Sequence, residues 1–322
     1  MTLTMKAAHL KGYQNFEMVD TEIPVITPDQ VLVKINKIGI CGSDIGMWNN
    51  HHFFNDLYDW EDFTPGEHGH ESVGTVVEVG KNVKHLKEGD QVVRLNLYDD
   101  WDLKMCCFAE YAISDCCIPC NGIDPDIMCF TDPVMVALNH IWHANVSPGD
   151  TVVVMGQGLL GLIVSQLLIH NHVNVIATDI SERRIGLAES YGATVYNPEK
   201  FDLVAEVKKM NTHIAAVIEC SGADEAINAA CHIYGRGGRL VIMGATRTKL
   251  TLNYTQMRVK GGTVCFPMNR VNHKDNWGPA AQLLMNGDVK VKDLVDHRDK
   301  MENIQQVLEN YDPEWIRVVL EV

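Results

Sequence analysis

The 322-residue sequence has no uninterrupted apolar run long enough to span a membrane. Its nearest approach, Thr151 to Ile169, is broken by Gly156, Gly158 and Gly161 and carries Gln157, Ser165 and Gln166. That pattern predicts a strand, a tight turn and a buried helix, and no membrane partner. Met1 to Leu10 holds no apolar stretch before a small-residue cleavage site, so no signal peptide is visible. Basic residues are also scarce. Lys and Arg number 27 against 42 Asp and Glu, a net charge of -15, and no basic stripe is available to hold nucleic acid. Ten cysteines in a chain this long do not make a secreted disulfide scaffold; reduced thiols and a cytoplasmic location are expected. Internal repeats and low-complexity segments are absent. What remains is globular, 46% hydrophobic and 21% charged, with room for two domains.

Short strand-like runs dominate the first part: Lys6 to His9, Phe16 to Val19, Val31 to Ile38, Ser72 to Val79, Gln91 to Leu95 and Phe108 to Ile113. From Asp132 the pattern changes. Apolar residues from Val134 to Ala144 have helical spacing, and strands then alternate with helices up to about Phe266, which predicts a doubly wound parallel sheet. After Pro267, a helix from Asn276 and an apolar ending from Trp315 read as a return to the first domain. The expected organisation is a mostly-β domain at 1–136 and 267–322 and a parallel α/β domain at 137–266.

Within the second domain, Gly156, Gly158 and Gly161 form G-x-G-x-x-G after a strand and before a helix. Asp179 ends the next strand, 18 residues past Gly161. In that context Gly156 permits a tight turn and Gly158 admits a pyrophosphate to the helix N-terminus. Gly161 lets the helix pack on the sheet, and Asp179 receives the adenosine ribose hydroxyls. The carboxylate repels a 2′-phosphate, so NAD is favoured over NADP, although Arg183 and Arg184 stand nearby.

In the first domain two polar clusters sit at strand ends. Gly39 to Asp44 reads G-I-C-G-S-D, and Thr64 to Glu71 reads T-P-G-E-H-G-H-E on a glycine-kinked turn. A thiol, an imidazole and a carboxylate are the donors that a catalytic zinc ion takes tetrahedrally. Cys41 is the leading ligand. His68 and His70 are two apart and would share a face of an extended segment, so spacing leaves them open, as it does Glu67 and Glu71. Asp132 either completes the coordination, directly or through water, or caps the following helix. Asp44 suits an acceptor that orients a ligating imidazole. Cys117 and Cys120 form a C-x-x-C unit without a second one to pair with, so a second metal is not expected.

Together these segments resemble the zinc-dependent medium-chain dehydrogenase/reductases of the alcohol dehydrogenase superfamily, nearest the sorbitol and threonine dehydrogenase branch. The similarity runs along almost the whole chain. In the first domain it is carried by G-I-C-G-S-D at 39–44, G-H-E-x-x-G-x-V-x-x-V-G at 69–80, F-A-E-Y at 108–111 and D-P at 132–133. In the second it is carried by G-Q-G-L-L-G at 156–161, V-I-E-C-S-G at 217–222 and G-R-L-V-I-M-G at 238–244, and in the returning segment by D-L-V-D-H-R at 293–298. The resemblance implies a GroES-like catalytic domain joined to a Rossmann domain. It implies one catalytic zinc on Cys41, His70 and Glu71, with Asp132 at a further acidic position. It makes Ser43 the hydroxyl of a proton relay, beside Asp44. It puts Leu160, Asp179 and Arg184 on NAD, with the backbone of Met243 to Ala245, Gly244 included, near the nicotinamide.

Three departures stand out. The four-cysteine lobe of members with a structural zinc is replaced by a short acidic loop, so no structural zinc is expected. Gly46 stands where a relay histidine often follows; His51, His52 or water would have to replace it. The stretch between Cys41 and His70 is long and rich in acids (Asp56, Asp59, Glu61, Asp62) and aromatics. The implied activity is reversible hydride transfer between a secondary alcohol and a nicotinamide. The implied substrate is a polyol, sugar, cyclitol, amino-polyol or 3-hydroxy amino acid, and the implied assembly a homodimer or homotetramer. Rival readings are an L-threonine dehydrogenase, a zinc-free quinone or enoyl reductase and a non-catalytic nucleotide-binding protein.

Overall fold

A computed structural model describes residues 3–49, 63–95, 107–245, 250, 252–267 and 273–322, the side chains of 273–275 excepted. His51, His52 and the acids of the long loop lie outside the described residues, as does the acidic loop near residue 100. The chain divides into two compact units, 1–132 with 277–322, and 133–276.

In the first unit β1 (Thr4–Gly12) and β2 (Asn15–Glu22) form an antiparallel ribbon. A larger sheet contains β3 (Val31–Ile40), β4 (Glu71–Val79), β5 (Gln91–Arg94), β6 (Tyr111–Ser114), β7 (Cys117–Pro119), β14 (Val295–Lys300) and β15 (Arg317–Glu321). Its order is β14-β15-β3-β4-β5-β7, with β6 also on β3. β3 is flanked by β15 and β4, and its Val- and Ile-rich run is buried along most of its length, as a central strand requires. Ile35, Ile38, Val76, Val92, Phe108 and Leu320 form the core there. A short helix, α1 (Gly42–Trp48), follows β3. Its start is encoded by Asp44, whose carboxylate accepts the Cys41 N–H (2.8 Å) at the helix entrance.

The second unit holds β8 (Thr151–Met155), β9 (Asn174–Thr178), β10 (Thr194–Tyr196), β11 (Ile214–Glu219), β12 (Arg239–Ile242) and β13 (Thr263–Cys265). They form a six-stranded sheet, parallel throughout, in the order β10-β9-β8-β11-β12-β13. Helices α2 (Thr131–Ala144), α3 (Leu159–His170), α4 (Glu182–Ser190) and α5 (Asp224–Ile233) alternate with these strands or precede them. The stretch Thr151 to Ile169 is thus strand, turn and buried helix. No helix among the described residues is long and apolar enough to cross a membrane. The chain order reverses between β8 and β11, and at such a switch point a parallel sheet opens a crevice at the carboxyl ends of its strands. The doubly wound α/β sheet beside a mostly-β unit is the architecture expected from the sequence.

Candidate active site

Antiparallel register assembles the candidate metal cluster of the first unit. β3 pairs with β4 so that Gly39 lies opposite Glu71. The residues just beyond each strand, Cys41 and His70, therefore meet at one end of the sheet. Cys41 is the extended N-cap of α1 (φ -90°, ψ 156°). The ligand atoms of Cys41, His70 and Glu71 all lie within 4.8 Å of one another. His70 Nε2 is 3.7 Å from Glu71 Oε1, and His70 Nδ1 is 4.0 Å from Asp44 Oδ1, longer than a hydrogen bond.

Glu71 is buried, Cys41 and His70 are half-buried, and the charges of the cluster act on one another. Burial pushes the Cys41 thiol up, and the Glu71 charge adds to that shift. Burial alone would lower His70, but the Cys41 thiolate, its hydrogen bond and the charges of Asp44 and Asp132 hold the imidazole well above its ordinary value. Burial likewise raises Asp44 to about 6 and Asp132 to about 7, against the pull of His70. Sulfur, nitrogen and oxygen donors at this separation fit a tetrahedral zinc ion. Ser43 Oγ, two residues on, is buried with no hydrogen-bond partner among the described residues. Such a hydroxyl is costly in an apolar setting and suits a bound polar ligand. Asp132 lies in the first turn of α2, close enough to couple with His70, but is not part of the three-residue cluster.

The structure separates the two histidines that spacing left open. Gly69 between them takes φ +74°, so the segment is not extended there and the two rings do not share a face. His68 goes into an aromatic pocket, 4.4 Å from Phe63, 5.5 Å from Phe16 and 6.5 Å from Phe108, ring centre to ring centre. Burial drives its pKa down to about 3, so it is neutral. Glu67 turns back to accept the Thr64 N–H (2.6 Å).

One residue beside this cluster was missed from sequence. Arg317, on β15, is fully buried against the Glu71 carboxylate. Its guanidinium also donates to the carbonyls of Cys129 (2.7 Å) and Ile40 (3.2 Å) and lies 5.0 Å from the centre of the Phe130 ring. Gly39 makes room for it, since a Cβ there would overlap the guanidinium. The available signal was an arginine inside the apolar run Trp315 to Leu320, where a cation needs a buried anion.

In the second unit the candidate dinucleotide turn is built from backbone. Gly156 follows β8 with φ +85°, and a Cβ on it would come within 2.8 Å of the Ser221 backbone nitrogen. Gly158 is the N-cap of α3, and space is open where its side chain would be. A Cβ on Gly161 would sit 2.9 Å from the Gly156 carbonyl carbon and closer still to its oxygen. Asp179 is buried at the end of β9; its carboxylate accepts the N–H groups of Gln157 (2.6 Å) and Ser181 (2.8 Å). The aspartate thus shapes the glycine turn, and its carboxylate has lone pairs left to accept further hydrogen bonds. Leu160 lies in the first turn of α3 and Arg184 in the first turn of α4. Gly244 follows β12, against Gly222 and Glu219.

Residues 27–123 match the family model of the alcohol dehydrogenase GroES-like domain, and residues 160–285 that of the zinc-binding dehydrogenases. Sorbitol dehydrogenase of Rattus norvegicus is 27% identical over 332 residues, covering 92% of this chain and 90% of the relative. L-galactonate-5-dehydrogenase of Escherichia coli is 24% identical and covers 86% of each chain. A structure described as a zinc-binding dehydrogenase of Sinorhizobium meliloti bound to NADP superposes with a TM-score of 0.87 at 23% identity. The match covers 99% of this chain and 100% of the other, and shows a shared fold.

Proposed function

Because the chain belongs to the zinc-dependent medium-chain dehydrogenase/reductases of the alcohol dehydrogenase superfamily, we propose that it interconverts a secondary alcohol of the polyol or sugar-acid class and its ketone, using NAD(H). The observation that carries this reading is the cluster of Cys41, His70 and Glu71 beside the unpartnered Ser43 hydroxyl. Zinc held by those three residues would polarise the substrate hydroxyl as a Lewis acid.

Each residue then has a role in this reading. Cys41, His70 and Glu71 hold the ion, and Asp132 supplies a further carboxylate at its edge. Arg317 balances the Glu71 charge, so the carboxylate is less drawn to the ion. Ser43 Oγ binds the substrate hydroxyl and passes its proton outward; with Gly46 where an imidazole would extend the relay, the next acceptor is water or a loop histidine. Asp44 fixes the Cys41 backbone and faces His70. Gly156, Gly158 and Gly161 receive the pyrophosphate, and Asp179 binds the adenosine ribose. Leu160, Arg184 and Gly244 line the remaining dinucleotide site. The carboxylate of Asp179 supports NAD over NADP, because a 2′-phosphate would be repelled.

A polyol or sugar acid is supported by the relatives, whose names give sorbitol and L-galactonate as substrates. A cytoplasmic homodimer or homotetramer is the proposed working form. The test is zinc content of the purified protein, followed by NADH absorbance over a panel of polyols, amino-polyols, sugar acids and L-threonine with NAD. A zinc-loaded protein that oxidises a polyol or sugar acid is the expected result. A zinc-free protein, or NAD binding without turnover of any alcohol, would sink the reading.

A further inference from the structure

Glu219 ends β11 and is completely buried, yet its partners are all hydrogen-bond donors from the turn that follows it. Its carboxylate accepts the Ser221 N–H (2.7 Å), the Ser221 hydroxyl and the Gly222 N–H (3.1 Å). Its main-chain carbonyl accepts the N–H groups of Met243 (2.8 Å) and Gly244 (3.1 Å), beyond the end of β12. One residue therefore ties the turn after β11 to the turn after β12.

The packing around it has no spare room. Gly222 adopts φ +69°, and a Cβ there would be 2.5 Å from the Ala245 carbonyl oxygen. A Cβ on Gly244 would be 2.8 Å from Glu219 Oε2. On the other side Ser221 lies against Gly156, the first glycine of the dinucleotide turn. The turns after β8, β11 and β12 thus touch through glycine backbone, and the Glu219 carboxylate is the polar group that holds the middle one.

The sheet order says what this platform faces. β9 with Asp179 lies on one side of β8, and β11 and β12 lie on the other. A dinucleotide whose pyrophosphate sits at the N-terminus of α3 and whose adenosine ribose reaches Asp179 must send its second nucleoside over the ends of β11 and β12. We infer that Glu219 is a positioning residue for the nicotinamide half of the dinucleotide, acting by fixing the Ser221–Gly222 turn against Gly244. This deepens the proposed function and rests on its dinucleotide-binding reading. Oε1 takes both Ser221 bonds and the shorter Gly222 bond, while Oε2 accepts the Gly222 N–H at 3.2 Å. An amide in its place would lose the charge that strengthens the Oε1 bonds and turn an N–H toward the Gly222 donor.

The experiment titrates wild type, Glu219→Gln and Ser221→Ala with NADH by fluorescence, and with AMP as a probe of the adenosine half. The result expected for Glu219→Gln is NADH binding weakened about tenfold or more, as for a lost charge-assisted hydrogen bond, with AMP binding unchanged. Ser221→Ala, which removes the hydroxyl bond alone, shifts NADH in the same direction by less and keeps the test open should the glutamine variant fail to fold. Unchanged NADH binding in both variants, or parallel weakening of NADH and AMP, overturns the inference. A wild-type protein that binds neither probe overturns the dinucleotide reading itself, and the inference with it.

Discussion

The metal cluster of the first unit and the glycine turn of the second are built on opposite principles. The metal cluster is made of side chains: a thiol, an imidazole and a carboxylate, with Asp44 and Asp132 acting on the imidazole and Arg317 balancing Glu71. The dinucleotide turn is made of backbone: glycines that admit close approach, and an aspartate that braces the turn through the Gln157 amide. A side-chain site concentrates its function in a few atoms. A backbone site spreads it over conformations that many sequences reach, provided no Cβ intrudes.

Substitutions sharpen or break that contrast. The largest effect is expected from Cys41→Ser and His70→Ala, which should lose zinc and reduce turnover to background while NADH binding stays near wild type. Metal analysis, the alcohol assay and NADH titration together check this. Parallel loss of NADH binding would mean that the metal cluster and the glycine turn are not independent.

Next is Arg317→Met, which strands the Glu71 carboxylate and should destabilise the fold by about 3–5 kcal/mol in urea denaturation. Pairing it with Glu71→Gln should recover much of that loss. No recovery would show that Arg317 acts through its carbonyl contacts instead.

The glycines of the turn should split. Gly161→Ala forces a Cβ onto the Gly156 carbonyl and should cost about 1–3 kcal/mol in thermal or urea unfolding. Gly158→Ala enters open space and should leave the melting temperature alone while weakening NADH binding. Equal melting behaviour of the two would contradict the backbone account.

The smallest effect is one of pH. The Cys41 and His70 pKa values are both raised, so each group tends to hold a proton that zinc must displace, and rising pH removes that competition. Asp132, near 7, loses its proton over the same range and adds negative charge beside the ion. The rise in melting temperature on adding zinc should therefore be larger at pH 8 than at pH 6. The opposite trend would remove these groups from the metal site.

Legibility followed the same division. G-x-G-x-x-G, Asp179 and the alternation of strands and helices are local patterns, and the second unit could be read almost element by element. From spacing alone the metal site was legible only as candidates, and it took the family resemblance to point to Cys41, His70 and Glu71. Spacing left His68 beside His70 because alternation assumes an extended chain, and Gly69 departs from it. Arg317 was invisible as a partner because the residue it balances lies 246 positions away in sequence. Helix α1 escaped because it is short and its start rests on a single aspartate.

By itself the sequence determined the two sheets, the dinucleotide turn and the residue types able to hold zinc, since each follows from periodicity or chemistry within a short window. Tertiary structure alone decided that Glu71 faces a buried guanidinium and that Glu219 locks two turns together. Those are contacts between segments far apart in the chain, and they exist only once strand register has aligned them.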